Sequence, residues 1–144
     1  MNSKLIKISE HIMFFAIILI IYIGYLMYYP FKVLKNNYEI NPVITKQVKA
    51  GDKVKFLVDV EHYTDGVKVE VVSQLENGFV YNFPTREYVT VKGKSQFVRE
   101  IVIPKETHSG KYRIVNHSIF QINPLRKIST RAQTEYFEVI GGDE

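Results

Sequence analysis

The stretch 107-THSGKYRIV-115 indicates how the C-terminal part of this chain folds. A turn that contains Gly110 is followed at every second position by Tyr112 and Ile114. A period of two places alternate side chains on the same face of a β-strand. The stretch therefore predicts a turn followed by a strand with one buried face, although the same pattern could open any half-buried strand.

The residues before this stretch repeat the same alternation. It is clearest in 53-KVKFLVDVE-61, where Val54, Phe56, Val58 and Val60 share one face. It continues through 66-GVKVEVVSQL-75, 78-GFVYNF-83 and 95-SQFVREIVIP-104, and a last strand is predicted in 133-QTEYFEVI-140, with Phe137 and Val139 inward. In the fourth of these runs, Phe97, Ile101 and Ile103 share a face and Val98 and Val102 lie on the other. No helical period occurs after residue 35, so the region is predicted to be all-β.

Turn residues separate the predicted strands. Asp65-Gly66 and Asn77-Gly78 are typical of β-hairpins because both residues tolerate positive φ. Pro42 places the first strand at a sheet edge, since proline cannot donate to a strand ladder. The segment 118–130 contains Asn123-Pro124 and is predicted to be a long loop or a bent strand end. About seven short strands over some 100 residues are typical of a β-sandwich.

The stretch 108-HSGKYRI-114 resembles the tyrosine corner of immunoglobulin-type domains. In that family a tyrosine at the start of strand F bonds back to the backbone and is followed two residues later by an inward residue. The resemblance assigns Gly110 to the turn, Tyr112 to the corner and Ile114 to the place of the family's cysteine. It implies that Phe56 or Val58 is the strand-B partner, and that Val69 or Val71 fills the place of the family's tryptophan.

The N-terminal part of the chain contains 18 uncharged residues, Ile12 to Tyr29. As a helix they would extend about 27 Å, close to the thickness of a bilayer core. Tyrosines gather at the C-terminal end, where aromatic rings favour the membrane interface, and Pro30 follows. These features favour a retained transmembrane helix. The alternative is a cleaved signal peptide, but its apolar core would be shorter and small residues would mark the cleavage site.

The predicted organisation is therefore an all-β, immunoglobulin-like β-sandwich preceded by one transmembrane α-helix. Its parts are a short tail (1–11), the helix (12–29), a linker (30–40), the sandwich (41–140) and a flexible tail (141–144). Lysines flank both ends of the helix, so charge gives little information on orientation. The short N-terminal tail favours a single-pass protein of the cytoplasmic membrane with its C-terminal domain on the periplasmic or extracellular side.

The layout of the whole chain, with "IP…SGKYRI…INPLR…YFEV" towards its end, is similar to small membrane proteins of tailed phages. Those proteins pair an N-terminal anchor with a β-sandwich, and their role is unknown. The resemblance implies a possible action on a host envelope, and it implies no catalytic residue.

Composition argues against several classes of chemistry. The chain has no cysteine, which excludes disulfides and thiolate sites. No serine lies in a G-x-S-x-G motif, and no glycine-rich phosphate loop occurs. From residue 36 onward, 15 Lys/Arg face 14 Asp/Glu, a net charge of +1, which does not suit nucleic-acid binding. We expect no enzyme activity, no cofactor and no metal site.

One local excess of positive charge lies between residues 107 and 134, where five basic residues occur before any acid: Lys111, Arg113, Arg126, Lys127 and Arg131. If the last strands pair, these side chains could form a basic edge for phospholipid headgroups, an acidic glycan or an acidic protein. They could equally be surface charge that acids such as Glu100, Glu135 and Glu138 balance.

The sequence thus predicts a membrane-anchored binding or scaffolding module at the cell envelope, with a protein or another envelope component as partner. Two alternatives stay open. The chain could be an accessory subunit of a larger membrane complex, its helix docked against other helices. It could also be a metal chaperone of the cupredoxin type, built on His62, His108 and His117, although such proteins use cysteine. The sequence does not predict the oligomeric state.

Overall fold

A computed structural model describes residues 3–141, with side chains described from Ile8 onward. The chain divides into two compact units. The first contains the helix α1 (Ser3–Tyr28) together with residues 123–126. In this unit the side-chain amide of Asn123 donates to the carbonyl of Leu26 (2.9 Å), and the guanidinium of Arg126 donates to the carbonyl of Tyr29.

Within α1, the 21 residues Ile8–Tyr28 have a mean hydropathy of 2.1, and the most apolar part is uncovered by protein. This helix is long and apolar enough to cross a membrane. It begins at Ser3, so most of the predicted N-terminal tail is helical. The helix passes from this tail into the apolar run without a break. Of the predicted C-terminal tail, residues 142–144 lie outside the described part of the chain.

The second unit is a β-sandwich made of residues 32–122 and those from 127 onward. Its strands, in chain order, are β1 (Leu34–Asn36), β2 (Ile40–Asn41), β3 (Gln47–Lys49), β4 (Lys53–His62), β5 (Lys68–Asn77), β6 (Phe79–Asn82), β7 (Arg86–Val89), β8 (Gly93–Val102), β9 (Gly110–Asn123), β10 (Arg126–Thr134) and β11 (Phe137–Ile140). The described chain thus has more strands than the seven predicted, because edge strands are broken into short pieces such as β2 and β3.

The strands form two sheets with immunoglobulin-like connectivity. One sheet has the order β1-β4-β8. In the other, β9 pairs with β5 along one edge and with β10 and β11 along the other edge. The strands β6 and β7 both pair with the remaining edge of β5. The β4–β8 pair corresponds to strands B and E, and the β5–β9 pair to strands C and F. The short strands β2 and β3 run parallel to β10 and β11 at the sheet edge, as Pro42 predicted.

Three local predictions were wrong. The predicted linker contains strand β1, which pairs with β4, because Val33 is buried against the core. The predicted loop at 118–130 is a tight hairpin, in which the Asn123 side chain accepts a bond from the amide of Leu125 (2.9 Å). Asp65-Gly66 is not a hairpin turn, since β4 and β5 lie in different sheets; the Gly66 amide donates to Thr90 instead (2.9 Å). Asn77-Gly78 does join the paired strands β5 and β6, with Gly78 at φ +68°.

The tyrosine corner is present. The hydroxyl of Tyr112 donates to the backbone carbonyl of His108 (3.0 Å). Two residues later Ile114 is fully buried, in the same apolar cluster as Phe56. Leu75 is the β5 residue opposite Ile114, whereas Val69 and Val71 belong to a separate cluster, so the expectation that one of them fills the tryptophan's place was wrong.

The interior of the sandwich therefore contains two apolar clusters. The larger one, which we call the closed end, includes Phe56, Ile114 and Phe137. The smaller one includes Val33, Val69 and Phe120. Along β5 and β9 the two clusters are separated by inward-facing polar side chains, and this polar layer positions the candidate site.

Candidate functional site

A polar layer crosses the interior of the sandwich at Ser73 on β5 and Asn116 on β9. These residues are opposite each other in the strand register, and both are buried. The Ser73 hydroxyl donates to the side-chain oxygen of Asn116 (2.6 Å). On β5 the inward neighbours of Ser73 are Val71 and Leu75, and on β9 those of Asn116 are Ile114 and Ser118. The polar residues thus form a narrow band between the two clusters.

Arg99 extends into this band from the facing sheet. It lies on β8 opposite Phe56, and its Nη2 donates to the Ser73 hydroxyl (3.0 Å). Its Nη1 is 3.5 Å from the Asn116 oxygen, at the limit of a hydrogen bond. Its Nε is buried and has no hydrogen-bond partner among the described residues. Buried guanidinium groups are normally paired with carboxylates, and here the neighbours are neutral.

Burial lowers the pKa of Arg99 to about 10, and the nearby positive charge of Arg86 lowers it in the same direction. The side chain is still charged at neutral pH. No carboxylate pairs with Arg99 or Arg86 within residues 8–141. The two arginines therefore create a local excess of positive charge on the inward side of the sandwich.

A cavity of about 270 Å³ lies between the sheets beside Arg99. We call it the Arg99 cleft. Its polar lining includes Asn116, His62 and Tyr88, and its apolar lining includes Val71 and Phe97. Phe97 faces inward on β8 but keeps 48% of its surface exposed, so the sandwich is open here. Arg86 lines two adjoining depressions that also reach Arg99.

His62 and Tyr88 form one wall of the cleft. The imidazole Nε2 of His62 lies 3.3 Å from the Tyr88 hydroxyl, and the rings meet edge to face with centroids 5.9 Å apart. Burial lowers the pKa of His62 below its ordinary value. Burial raises the pKa of Tyr88, against the opposing effect of the Arg99 charge. Near neutral pH this wall is therefore uncharged and can donate and accept hydrogen bonds.

Two of the five basic residues predicted as a partner-binding edge lie together on the outer face of the larger sheet. Arg113 forms an ion pair with Glu76 (3.0 Å), and Arg131 lies 3.8 Å from the same carboxylate. The guanidinium of Arg113 also lies over the ring of Tyr136, 5.5 Å from its centroid. Glu76 thus neutralises part of this charge, in the way expected of ordinary surface balance.

Lys111 lies two positions before Arg113 on β9 and therefore on the same face of the sheet. Lys111 is opposite Glu138 in the β9–β11 register. Lys127 borders a small depression that also contains Lys68 and Glu70. Arg126 belongs to the first unit, with the helix. The binding role of these five residues stays a prediction.

The sequence contains a signal for the Arg99 cleft, although no motif marks it. Arg99 lies between Phe97 and Ile101 in the alternation of β8, so the period of two already places it on the buried face. Ser73 occupies the same kind of position between Val71 and Leu75 on β5. A charged residue in an otherwise apolar inward series indicates a functional site, because burying a charge without a partner costs free energy.

No group of three or more His, Asp or Glu side chains in the described part of the chain is arranged to hold a metal ion. The predicted histidine candidates are separated: His62 lines the cleft, His108 lies in the loop before β9, and His117 lies within β9.

The fold and the cleft together define an immunoglobulin-like sandwich that follows a candidate membrane-spanning helix. No protein-family model and no curated protein matches the chain. Among solved structures, it is similar to the CARDB domain of the PF1109 protein from Pyrococcus furiosus, which was crystallised with di-metal ions. The identity is 13% and the TM-score 0.44, with 78% of this chain and 98% of that one covered.

Two further solved structures show similarities of the same order. Neutral ceramidase from Pseudomonas aeruginosa has 17% identity and a TM-score of 0.41, covering 76% of this chain and 21% of the enzyme. The sporulation control protein Spo0M from Bacillus subtilis has 13% identity and a TM-score of 0.39, covering 77% and 51%. The chain thus spans about a fifth and about half of these two proteins. Similarity at this level does not indicate a shared function.

Proposed function

We propose that this chain is a membrane-anchored binding module of the cell envelope that acts without catalysis. The helix Ile8–Tyr28 stays in the cytoplasmic membrane, and the sandwich is displayed on the periplasmic or extracellular side. The observation that carries this proposal is the exposure of the apolar helix, since none of its most apolar part is covered by protein. In water such a surface would be strongly unfavourable, whereas lipid tails cover it at no cost.

The sandwich supports the binding part of the proposal. Its closed end is a well-packed apolar core, which makes it a stable scaffold. Its Arg99 cleft is open and combines apolar walls with a few polar groups, the usual composition of a small-molecule site. The Ser73 hydroxyl is held by Asn116 and Arg99 rather than by a base, which supports binding in preference to nucleophilic chemistry. The layout of the sequence resembles that of tailed-phage membrane proteins, so we propose a host envelope as the setting.

Membrane retention can be tested by expressing the full chain in a bacterium and extracting the membranes with alkaline carbonate. We expect the chain to stay in the membrane pellet with its N-terminal residues intact by mass spectrometry. A soluble product that begins after residue 29 would identify the segment as a cleaved signal sequence and would contradict the proposal.

The side on which the sandwich lies can be tested with the same preparation, because the chain has no cysteine of its own. A single cysteine in place of the exposed Ser129 is expected to react with a membrane-impermeant maleimide on spheroplasts. A matched Ser3→Cys variant is expected to react only after lysis. The opposite labelling pattern would place the sandwich in the cytoplasm.

A further inference from the structure

Arg99 is a charged group whose surroundings are incomplete. Its Nη2 has a neutral partner in Ser73, its Nη1 has only a long contact with Asn116, and its buried Nε has none among the described residues. A guanidinium removed from water loses hydration that hydroxyl and amide groups replace only in part. The positive charge of Arg99 therefore has only neutral partners among the described residues, and a bound anion would balance it.

Arg86 strengthens the case from an adjacent strand. Its β7 position is opposite Val71, and it lines both of the depressions that adjoin Arg99. Two arginines close to each other repel, and among the described ion pairs none includes either of them. An anion between or beside them would relieve this repulsion. Carboxylates and phosphates suit arginine well, because each can accept two parallel hydrogen bonds from one guanidinium.

The walls of the cleft indicate what carries the anionic group. Phe97 and Val71 provide apolar surface, and the Tyr88 ring, which meets His62 edge to face, adds to it. The volume of about 270 Å³ suits a small molecule. An inorganic ion would leave the apolar walls uncovered, whereas an oxyanion attached to a compact apolar group would cover them and reach Arg99.

We infer that the Arg99 cleft binds a carboxylate or phosphate carried on a small apolar group, with Arg99 as the main anion-binding residue and Arg86 as a second positive charge at the opening. This inference rests on the proposed binding function and specifies its ligand class. The same chemistry is available in a free molecule and in a lipid headgroup, and the experiment separates these two sources.

The test uses the full chain in a nonionic detergent, with benzoate and phenyl phosphate as probes and benzyl alcohol as the neutral control. Binding is followed by calorimetry and by the melting temperature. We expect at least one of the two anionic probes to bind and to raise the melting temperature by a few degrees at saturating concentration, since a ligand of the folded state stabilises it. Benzyl alcohol is expected to cause no comparable shift.

Three variants make the test specific. Arg99→Met is expected to weaken binding by more than about tenfold, in keeping with the loss of a charge-assisted bond. Arg86→Met is expected to weaken it by a smaller factor. Arg113→Met, which removes an arginine already paired with Glu76, is expected to leave binding unchanged. Circular dichroism of each variant shows that it is folded.

The source of the ligand is tested with nanodiscs of phosphatidylglycerol and of phosphatidylcholine. Competition with the bound probe by phosphatidylglycerol alone would assign the site to a lipid headgroup, and no competition would assign it to a free molecule; both results support an oxyanion site. The inference is overturned if neither anionic probe binds at millimolar concentration, or if Arg99→Met binds them as wild type does. These results would leave the membrane-anchor proposal intact, because carbonate extraction tests that separately.

Discussion

The two ends of strands β4 and β8 show how one pair of strands builds two different environments. At the closed end, Val54 is opposite Ile101, and both side chains are buried in the larger apolar cluster. Farther along the same ladder, Val58 and Val60 are opposite Phe97 and Ser95, which line the Arg99 cleft. The backbone pairing is continuous, so the difference arises from the side chains and from what the second sheet presents to them.

This contrast separates the part of the sandwich that stabilises the fold from the part that is available for binding. The closed end excludes water and gains free energy from buried apolar area. The cleft keeps a charge in a half-enclosed space, which costs free energy unless a ligand is bound. Proteins commonly tolerate such a cost where it serves a function.

The largest expected effect is at the closed end. Phe56→Ala removes a fully buried ring and should lower the free energy of unfolding by about 3–5 kcal/mol. The matched change Phe97→Ala removes a half-exposed ring from the cleft and should cost roughly 1 kcal/mol. Urea denaturation of the full chain in detergent, followed by circular dichroism, measures both. Equal losses would show that the two regions are packed alike and would contradict the comparison.

The second prediction is a gain in the free energy of unfolding. Arg99→Met replaces a guanidinium that has no carboxylate partner among the described residues with an apolar side chain of similar length. Ser73 and Asn116 can remain bonded to each other. We expect the ligand-free protein to gain about 1–2 kcal/mol of stability. The control Arg113→Met breaks the ion pair with Glu76 and should lose up to about 1 kcal/mol. A destabilised Arg99→Met variant would indicate that the guanidinium is a structural element of the core.

The smallest effect concerns the tyrosine corner. Tyr112→Phe removes the hydroxyl that bonds to the carbonyl of His108 and should cost about 0.5–1.5 kcal/mol. Tyr136→Phe, at a side chain that is 58% exposed, serves as the control and should be nearly neutral. The difference in urea midpoint between the two variants measures how much the tyrosine-corner hydrogen bond stabilises the fold. No difference would mean that the apolar packing of the closed end suffices without it.

Sequence reasoning succeeded where a short-range pattern determines the structure. The alternation in β4, β5 and β8, the Tyr112 corner and the apolar helix are all local signals, because a side chain's face in a strand and the length of an apolar run depend only on neighbours in the chain. It was wrong at Asp65-Gly66 and at 118–130, where the outcome depended on which strands pair. The basic residues were predicted as a group because they are close in sequence, and their binding role stays a prediction.

For this protein, the amino-acid sequence by itself determined an all-β region with one buried face per strand, a corner tyrosine, and an apolar helix long enough for a bilayer. Only the tertiary structure decided that the inward positions of Arg99 on β8 and of Ser73 and Asn116 on β5 and β9 meet in one cleft. The physical reason is that the period of two assigns each side chain to a face of its strand. The packing of the two sheets then determines which faces meet, and therefore which residues far apart in the chain come into contact.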